Sequence, residues 1–152
     1  MIEAGQKFPD FALPNQDGEV KRLADYAGSW LVIYVYPKDD TPGCTIQGKS
    51  FTAAKDEYDA AGVKVVGVSA DDVESHKSFC NKYNFKIDLL SDTEGGLLRA
   101  MGVGQSEFRG TMYWNRSTFV IDPEGTVRKA YSNVNPEGHE RVLLADIEQL
   151  RG

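Results

Sequence analysis

Two cysteines, Cys44 and Cys80, are the residues of this chain with the strongest capacity for nucleophilic and redox chemistry. They lie too far apart in the sequence to form the Cys-x-x-Cys pair of a dithiol oxidoreductase, and two cysteines do not make a disulfide framework. The thiolate, rather than the thiol, is the nucleophilic form. The surroundings of each cysteine therefore decide whether it can react.

Cys44 follows a Thr-Pro pair that has the form of a helix start. Thr41 would be the N-cap and Pro42 the first helical residue, which places Cys44 at the third residue of the first turn. Backbone N–H groups and the helix dipole stabilise an anion at that position. The spacing therefore favours a reactive thiolate, although the residues alone fit a small buried thiol equally well.

The two acidic residues just before this helix oppose a thiolate. Asp39 and Asp40 bring negative charge close to Cys44, and like charges disfavour the anionic form of a neighbouring group. A reactive Cys44 therefore requires that these carboxylates are held away or offset. We expect a cation from elsewhere in the fold to supply that offset.

The bulk properties of the chain indicate one soluble globular domain covering residues 1–152. The net charge of −6, from 17 Lys+Arg and 23 Asp+Glu, disfavours nucleic acid as a partner. The longest apolar run, Trp30 to Tyr36, is too short to span a bilayer. The N-terminus has neither the basic nor the apolar region of a secretory signal, so we expect a cytoplasmic protein that does not bind membranes.

The order of predicted elements indicates an α/β protein. Trp30–Tyr36 has the composition of a central strand, a helix follows as far as Gly62, and residues 63–69 form a second buried strand. The next helix carries the stripe Val73, His76, Phe79 or Cys80, and Tyr83. Further elements are predicted near residues 89–90, 97–101, 117–122, 126–131 and 137–150. We predict a thioredoxin-like fold with a central mixed β-sheet, helices on both faces and an N-terminal β-hairpin.

The two histidines, His76 and His139, are predicted to lie at the surface or at helix edges. No Ser-His-Asp arrangement accompanies them, so neither is expected to be a base. A tetrahedral zinc site would need both histidines and both cysteines to converge from unrelated spacings. We therefore expect no metal site.

The segment around Cys44 resembles the active site of the peroxiredoxins. Pro37, Thr41 and Cys44 match the family motif Pro-x-x-x-Thr-x-x-Cys. The string YPKDDTPGCTIQ is similar to the subfamily called bacterioferritin comigratory protein or peroxiredoxin Q. Further matches are GQKFPDFALPNQDG, GVSADDVESHKSF, LLSD and RSTFVIDPEG, so the resemblance covers nearly the whole chain.

The resemblance implies a role for each matching residue. It makes Cys44 the peroxidatic cysteine, Thr41 a hydrogen-bonding partner of the peroxide, and Pro37 a shield. The late strand motif makes Arg116 the cation beside the thiolate. Two further residues are assigned to the substrate-binding part of the site: Gln47, which resembles the position that orients the arginine, and Gly43.

The resemblance also implies the reaction: reduction of hydrogen peroxide and organic hydroperoxides through a Cys44 sulfenic acid. The common resolving position, five residues after Cys44, is Lys49, whereas Cys80 matches a second arrangement with the resolving cysteine on the following helix. An intramolecular Cys44–Cys80 disulfide is thus implied, recycled by thioredoxin or a similar dithiol. No metal, haem, flavin or other cofactor is required, and we expect a monomer.

Three alternatives remain open at this stage. Cys80 would be inert in a one-cysteine peroxidase, since it is part of a predicted buried stripe. A peroxide sensor or redox relay would oxidise at Cys44 and pass the disulfide to another protein. A thioredoxin-like oxidoreductase is disfavoured by the missing Cys-x-x-Cys pair. Tyr113 and Trp114 are either core aromatics or the rim of a site that favours apolar hydroperoxides.

Overall fold

The structure is a computed structural model that describes residues 1–152. Its strands are β1 (Ala12–Pro14), β2 (Val20–Arg22), β3 (Trp30–Val35), β4 (Val63–Ser69), β5 (Asp88–Ser91), β6 (Gln105–Phe108), β7 (Thr111–Trp114), β8 (Ser117–Ile121) and β9 (Val127–Ser132). Its α-helices are α1 (Pro42–Ala53), α2 (Lys55–Ala60), α3 (Val73–Tyr83), α4 (Gly96–Ala100) and α5 (His139–Arg151), and Leu23–Tyr26 is a 3₁₀ helix.

Five strands form a mixed sheet in the order β5-β4-β3-β8-β9. The β3 strand pairs in parallel with β4 and antiparallel with β8, so it lies at the centre of the sheet, as its aromatic and β-branched composition predicts. The β1 and β2 strands form the expected N-terminal hairpin. The mixed sheet and this hairpin confirm those parts of the predicted fold.

Successive side chains of β3 point to opposite faces of the sheet and so contribute to two separate cores. Leu31, Ile33 and Val35 pack with side chains of α4 and the 3₁₀ helix. Val32 and Tyr34 pack on the other face with side chains of α1, α2, α3 and α5. Both cysteines belong to this second core, which therefore brings the two helices that carry them to the same face.

Two features differ from the prediction. The helix expected to continue to Gly62 is broken at Ala54, whose backbone leaves helical geometry between α1 and α2. A two-stranded hairpin of β6 and β7 also occupies residues 105–114, where no strand was predicted. Every residue of β6 is exposed, so this hairpin has no buried alternating pattern from which a strand could be inferred.

Candidate active site

The register of the sheet brings the loop after β3 next to the start of β8. Val35, the last residue of β3, pairs with Ser117, the first residue of β8. Because these strands are antiparallel, the chain leaves β3 at the same edge of the sheet where it enters β8. Arg116, which immediately precedes β8, therefore lies beside the loop that leads into α1.

Cys44 is the third residue of α1 and is 1% exposed. Thr41 occupies the N-cap position and Pro42 the first helical position, as predicted. The Thr41 side chain does not cap the helix, however, because its Oγ1 atom donates a hydrogen bond to the Lys38 carbonyl oxygen at 2.8 Å. The Thr41 hydroxyl proton is thus engaged, and the lone pairs of Oγ1 are left to accept.

The cation that Cys44 requires is Arg116. Its Nη1 atom donates to Cys44 Sγ at 3.4 Å and to Gln47 Oε1 at 2.7 Å. A guanidinium does not deprotonate in proteins, so a fixed positive charge stabilises an anionic sulfur at this position. Gln47 is buried and orients the guanidinium, and its Nε2 atom has no hydrogen-bond partner in the protein.

Gly43 lets the guanidinium approach the helix. A Cβ atom at Gly43 would overlap Arg116 Nη2 and would lie 3.0 Å from Arg116 Cζ. A Cβ atom at Gly48, farther along the helix, would likewise overlap the ring of Phe85. Both glycines of the first turns of α1 are therefore explained by close packing. Gly43 contributes to the site by its lack of a side chain.

Asp39 is engaged in a buried hydrogen-bond network. Its carboxylate accepts from Tyr36 Oη at 2.6 Å and from Ser75 Oγ at 2.7 Å, and it lies 2.7 Å from His76 Nδ1. Burial and the adjacent Asp39 carboxylate raise the pKa of Tyr36, so its hydroxyl remains a donor. The prediction that His76 lies at the surface or a helix edge is wrong, because it is fully buried.

Asp40 is held at the surface by residues of α3. Its carboxylate accepts from Lys82 Nζ and from Tyr83 Oη, each at 2.7 Å. The hydrogen bonds from Lys82 and Tyr83 hold the pKa of Asp40 below its usual value. Both acidic residues before α1 are thus paired with groups of α3, which resolves the electrostatic conflict seen in the sequence.

Cys80 lies on α3 and is 7% exposed. Burial, followed by the charges of Asp39, Asp88 and Asp17, raises the pKa of the Cys80 thiol to about 12. Cys44 and Cys80 are both free thiols in this structure. At neutral pH Cys80 is therefore a protonated, shielded thiol while α3 stays in place.

A cavity of about 560 Å³ lies beside the site. It is lined by Pro37, Thr41 and Arg116 from the predicted site, and by Phe108, Tyr113 and Trp114 of the β6–β7 hairpin. The structure thus places Tyr113 and Trp114 at the rim of the site. Phe108 was missed, because only the hairpin, for which the sequence gives no clear signal, brings it there.

Comparisons with known proteins identify the family. The AhpC/TSA family profile matches residues 4–130. The chain belongs to the AhpC/TSA family. It is 43% identical to the peroxiredoxin Bcp of Xanthomonas campestris over 91% of this chain and 89% of that protein.

Solved structures of AhpC/TSA-type proteins share the fold. A cysteine-to-serine variant of Xylella fastidiosa PrxQ superposes with a TM-score of 0.94 at 30% identity, covering 100% of this chain and 99% of the other. The Xanthomonas campestris bacterioferritin comigratory protein, described for its alkyl peroxide reduction activity, superposes with a TM-score of 0.89 at 39% identity, covering 97% and 98%.

These similarities confirm several expectations from the sequence. The chain is a peroxiredoxin of the bacterioferritin comigratory protein or peroxiredoxin Q type, with the thioredoxin-like fold of that group. Its enzyme class is therefore thiol-dependent peroxidase, with a peroxide as substrate and a thioredoxin-type reductant. None of the helices combines the length and apolar character needed to cross a membrane.

His139 also departs from the prediction. It is buried at the start of α5, where its Nε2 atom lies 2.9 Å from Thr118 Oγ1 and its ring packs edge-on against Tyr131. Burial lowers the pKa of His139 to about 4. The histidine is therefore a neutral part of the packing between α5 and the sheet, and the expectation of a surface or helix-edge position is wrong.

Proposed function

We propose that Cys44 is the peroxidatic cysteine and that Arg116 and Thr41 bind the peroxide it attacks. The hydrogen bond from Arg116 Nη1 to Cys44 Sγ is the observation that carries this proposal. It provides a fixed positive charge at the sulfur, and α1 adds its N-terminal dipole. Thr41, whose hydroxyl donates to the Lys38 carbonyl oxygen, accepts a hydrogen bond from the O–H group of the peroxide.

The first step is a displacement at oxygen. The thiolate of Cys44 attacks the hydroperoxide oxygen that carries hydrogen, a sulfur–oxygen bond forms, and the oxygen–oxygen bond breaks. Sulfur is oxidised to sulfenic acid, and the leaving oxygen takes a proton from solvent to become water or an alcohol. Arg116 stabilises the negative charge that moves onto the leaving oxygen. Pro37 at the cavity wall shields the reacting sulfur from bulk water.

We propose that Cys80 resolves the sulfenic acid. The thiol of Cys80 condenses with it, releases water and leaves a Cys44–Cys80 disulfide, which thioredoxin or a similar dithiol reduces. Both cysteines are free, buried thiols on separate helices, so forming the disulfide requires that their sulfur atoms come into bonding contact. The raised pKa of Cys80 also requires the thiol to leave its buried position before it reacts as a thiolate. Local opening is therefore part of the cycle.

The substrates are hydrogen peroxide and organic hydroperoxides. The aromatic side chains of the hairpin give the cavity an apolar wall, which suits the alkyl group of an organic hydroperoxide. The enzyme works in the cytoplasm as a monomer, with thioredoxin or a similar dithiol as its electron donor. It needs neither a metal nor an organic cofactor, because the cysteine sulfur itself changes oxidation state.

A thioredoxin-coupled assay with cysteine variants tests the proposal. Cys44→Ser should abolish the reduction of hydrogen peroxide and cumene hydroperoxide. Cys80→Ser should retain one fast turnover, because Cys44 still reacts with peroxide, but should lose sustained turnover with thioredoxin. Unchanged thioredoxin-supported turnover in Cys80→Ser would show instead that the enzyme is a one-cysteine peroxidase.

A further inference from the structure

The loop between β3 and α1 is joined to α3 by two neighbouring aspartates with different surroundings. Asp39 is buried and contacts Ser75 and His76, in the first turn of α3. Asp40 is exposed and contacts Lys82 and Tyr83, at the end of the same helix. We call the first set, Asp39, Ser75 and His76, the anchor, and the second, Asp40, Lys82 and Tyr83, the clasp.

The anchor is a buried contact whose hydrogen-bonding atoms all have partners. His76 Nε2 lies 3.0 Å from the Leu90 carbonyl oxygen and must carry a hydrogen, because a carbonyl only accepts. His76 Nδ1 lies 2.7 Å from the Asp39 carboxylate, so a proton must also lie between those two atoms. Separating these groups leaves buried hydrogen-bonding atoms without partners, which is destabilising.

The clasp is far easier to release. The side chains of Lys82 and Asp40 are 57% and 43% exposed, and ion pairs in water contribute little and are screened by salt. Asp40 also has a φ of 55°, in the left-handed region that aspartate and asparagine tolerate better than most other residues.

The clasp lies next to the parts of the chain that must move. Cys80 is two residues before Lys82, in the last turns of α3, and Asp40 is two residues before the first residue of α1. The α3 residues of the anchor, Ser75 and His76, lie at the opposite end of that helix, and Asp39 precedes the clasp in the loop. An opening that brings Cys44 to Cys80 therefore meets the clasp first.

On the basis of the proposed function, we infer that the clasp opens when the Cys44–Cys80 disulfide forms and that the anchor stays intact as the fixed boundary of the opening. Asp40, Lys82 and Tyr83 are then positioning residues that hold the peroxide-reactive form. They therefore determine what fraction of the Cys44 sulfenic acid enters each of two competing reactions. Condensation with Cys80 gives a disulfide and water, whereas a second hydroperoxide gives sulfinic acid and water or an alcohol.

The reduction potential of the Cys44–Cys80 couple, measured in dithiothreitol redox buffers, tests this inference. A contact present only in the dithiol form opposes the disulfide, so Asp40→Asn should raise the equilibrium constant for disulfide formation about fivefold, about 20 mV towards more negative potential. Asparagine tolerates the left-handed backbone, so this change removes chiefly the charge. Lys82→Gln should shift the potential in the same direction.

The adjacent isosteric variant Asp39→Asn is the matched control. The anchor is present in both redox forms, so Asp39→Asn should lower the melting temperature of both and leave the potential at the wild-type value. Under excess peroxide, Asp40→Asn should form less sulfinic acid than the wild type. Added salt should shift the potential of the wild type more than that of Asp40→Asn, because screening weakens the clasp.

Hydrogen exchange of the two wild-type redox forms tests whether the opening stops at the anchor, even if Asp39→Asn does not fold. The Asp39 amide, which donates to Asp71 Oδ2 at 2.9 Å, should stay protected in the disulfide form, while the Thr45 amide, bonded to the Thr41 carbonyl, should lose protection. An unchanged potential in Asp40→Asn, or an equal shift in Asp39→Asn, would overturn the inference alone. A wild-type protein that forms no disulfide would overturn the resolution step and the inference together.

Discussion

Arg116 Nη1 lies 3.4 Å from Cys44 Sγ, although the two residues are 72 positions apart in the chain. The antiparallel register of β3 and β8 produces this contact, because it places the start of β8 beside the helix that follows β3. A bond donated by a fixed cation to a helix N-terminal sulfur favours the anionic form. The sheet thus determines the position of Arg116, and the start of α1 determines that of Cys44.

Replacement of Arg116 should slow the oxidation of Cys44 by peroxide. Arg116→Met removes the donor and the charge, so the second-order rate constant should fall about 10²–10³-fold, the effect of losing one oxyanion-stabilising donor. Arg116→Lys keeps the charge but cannot reproduce the forked geometry, and should give an intermediate rate. Competition with a reference peroxidase measures these rates. Equal rates for Arg116→Met and the wild type would remove Arg116 from the reaction.

Gly43→Ala should act through Arg116. The added Cβ atom would occupy the space of the guanidinium, so Arg116 must shift and the rate should fall about tenfold or more. The free energy of unfolding should change little, because the preference of a helix for alanine over glycine, about 1 kcal/mol, opposes the loss of the guanidinium contacts. Gly96→Ala in α4, where a Cβ atom meets nothing within 4 Å, is the control and should keep the wild-type rate. Retained activity in Gly43→Ala would contradict the packing argument.

Trp114→Ala should change substrate preference more than chemistry. Trp114 lines the cavity beside Thr41 and Arg116 but makes no hydrogen bond to Cys44, so its loss removes chiefly apolar surface. The rate constant for cumene hydroperoxide should fall about three- to tenfold, the value of a modest loss of apolar contact, while that for hydrogen peroxide should change little. Parallel losses for both substrates would indicate that Trp114 positions the catalytic residues instead.

His139 should make stability depend on pH below neutrality. Burial lowers its pKa to about 4, whereas an unfolded histidine titrates near 6.5. Between these values the unfolded chain binds the proton and the folded protein does not, so the free energy of unfolding should fall as pH drops from about 6.5 to 4, by an amount of the order of 2 kcal/mol. Urea unfolding of His139→Gln should show a flatter profile over this range. A profile identical to that of the wild type would contradict the assignment.

The sequence was sufficient for the central elements and for the start of the helix that carries Cys44. Trp30–Val35 and Val63–Ser69 are uninterrupted β-branched or aromatic runs, and Thr41-Pro42 defines the start of α1 by local chemistry alone. Arg116 is different: its spacing from Cys44 carries no local signal, and only the likeness to a known motif indicated it. The contact between Arg116 and Cys44 then depends on the pairing of β3 with β8, which joins distant parts of the chain.

The burial of His139 could not be predicted from the sequence, and that of His76 was indicated only by its place in the apolar stripe of α3. Histidine has a polar side chain that is found both at the surface and in protein interiors. The partners that make its burial possible come from elsewhere in the chain: Asp39 and the Leu90 carbonyl for His76, and Thr118 for His139. Burial of a polar side chain depends on such partners, which are set by tertiary structure. The exposed β6–β7 hairpin was missed because it lacks a buried face.

Intact mass spectrometry after one equivalent of hydrogen peroxide tests the central claim most directly. The account predicts that the wild-type chain loses two hydrogens as the Cys44–Cys80 disulfide forms, that Cys80→Ser gains one oxygen at Cys44, and that Cys44→Ser stays unmodified. A wild-type chain that gains one oxygen and forms no disulfide, or oxidation of Cys44→Ser at Cys80, would contradict it.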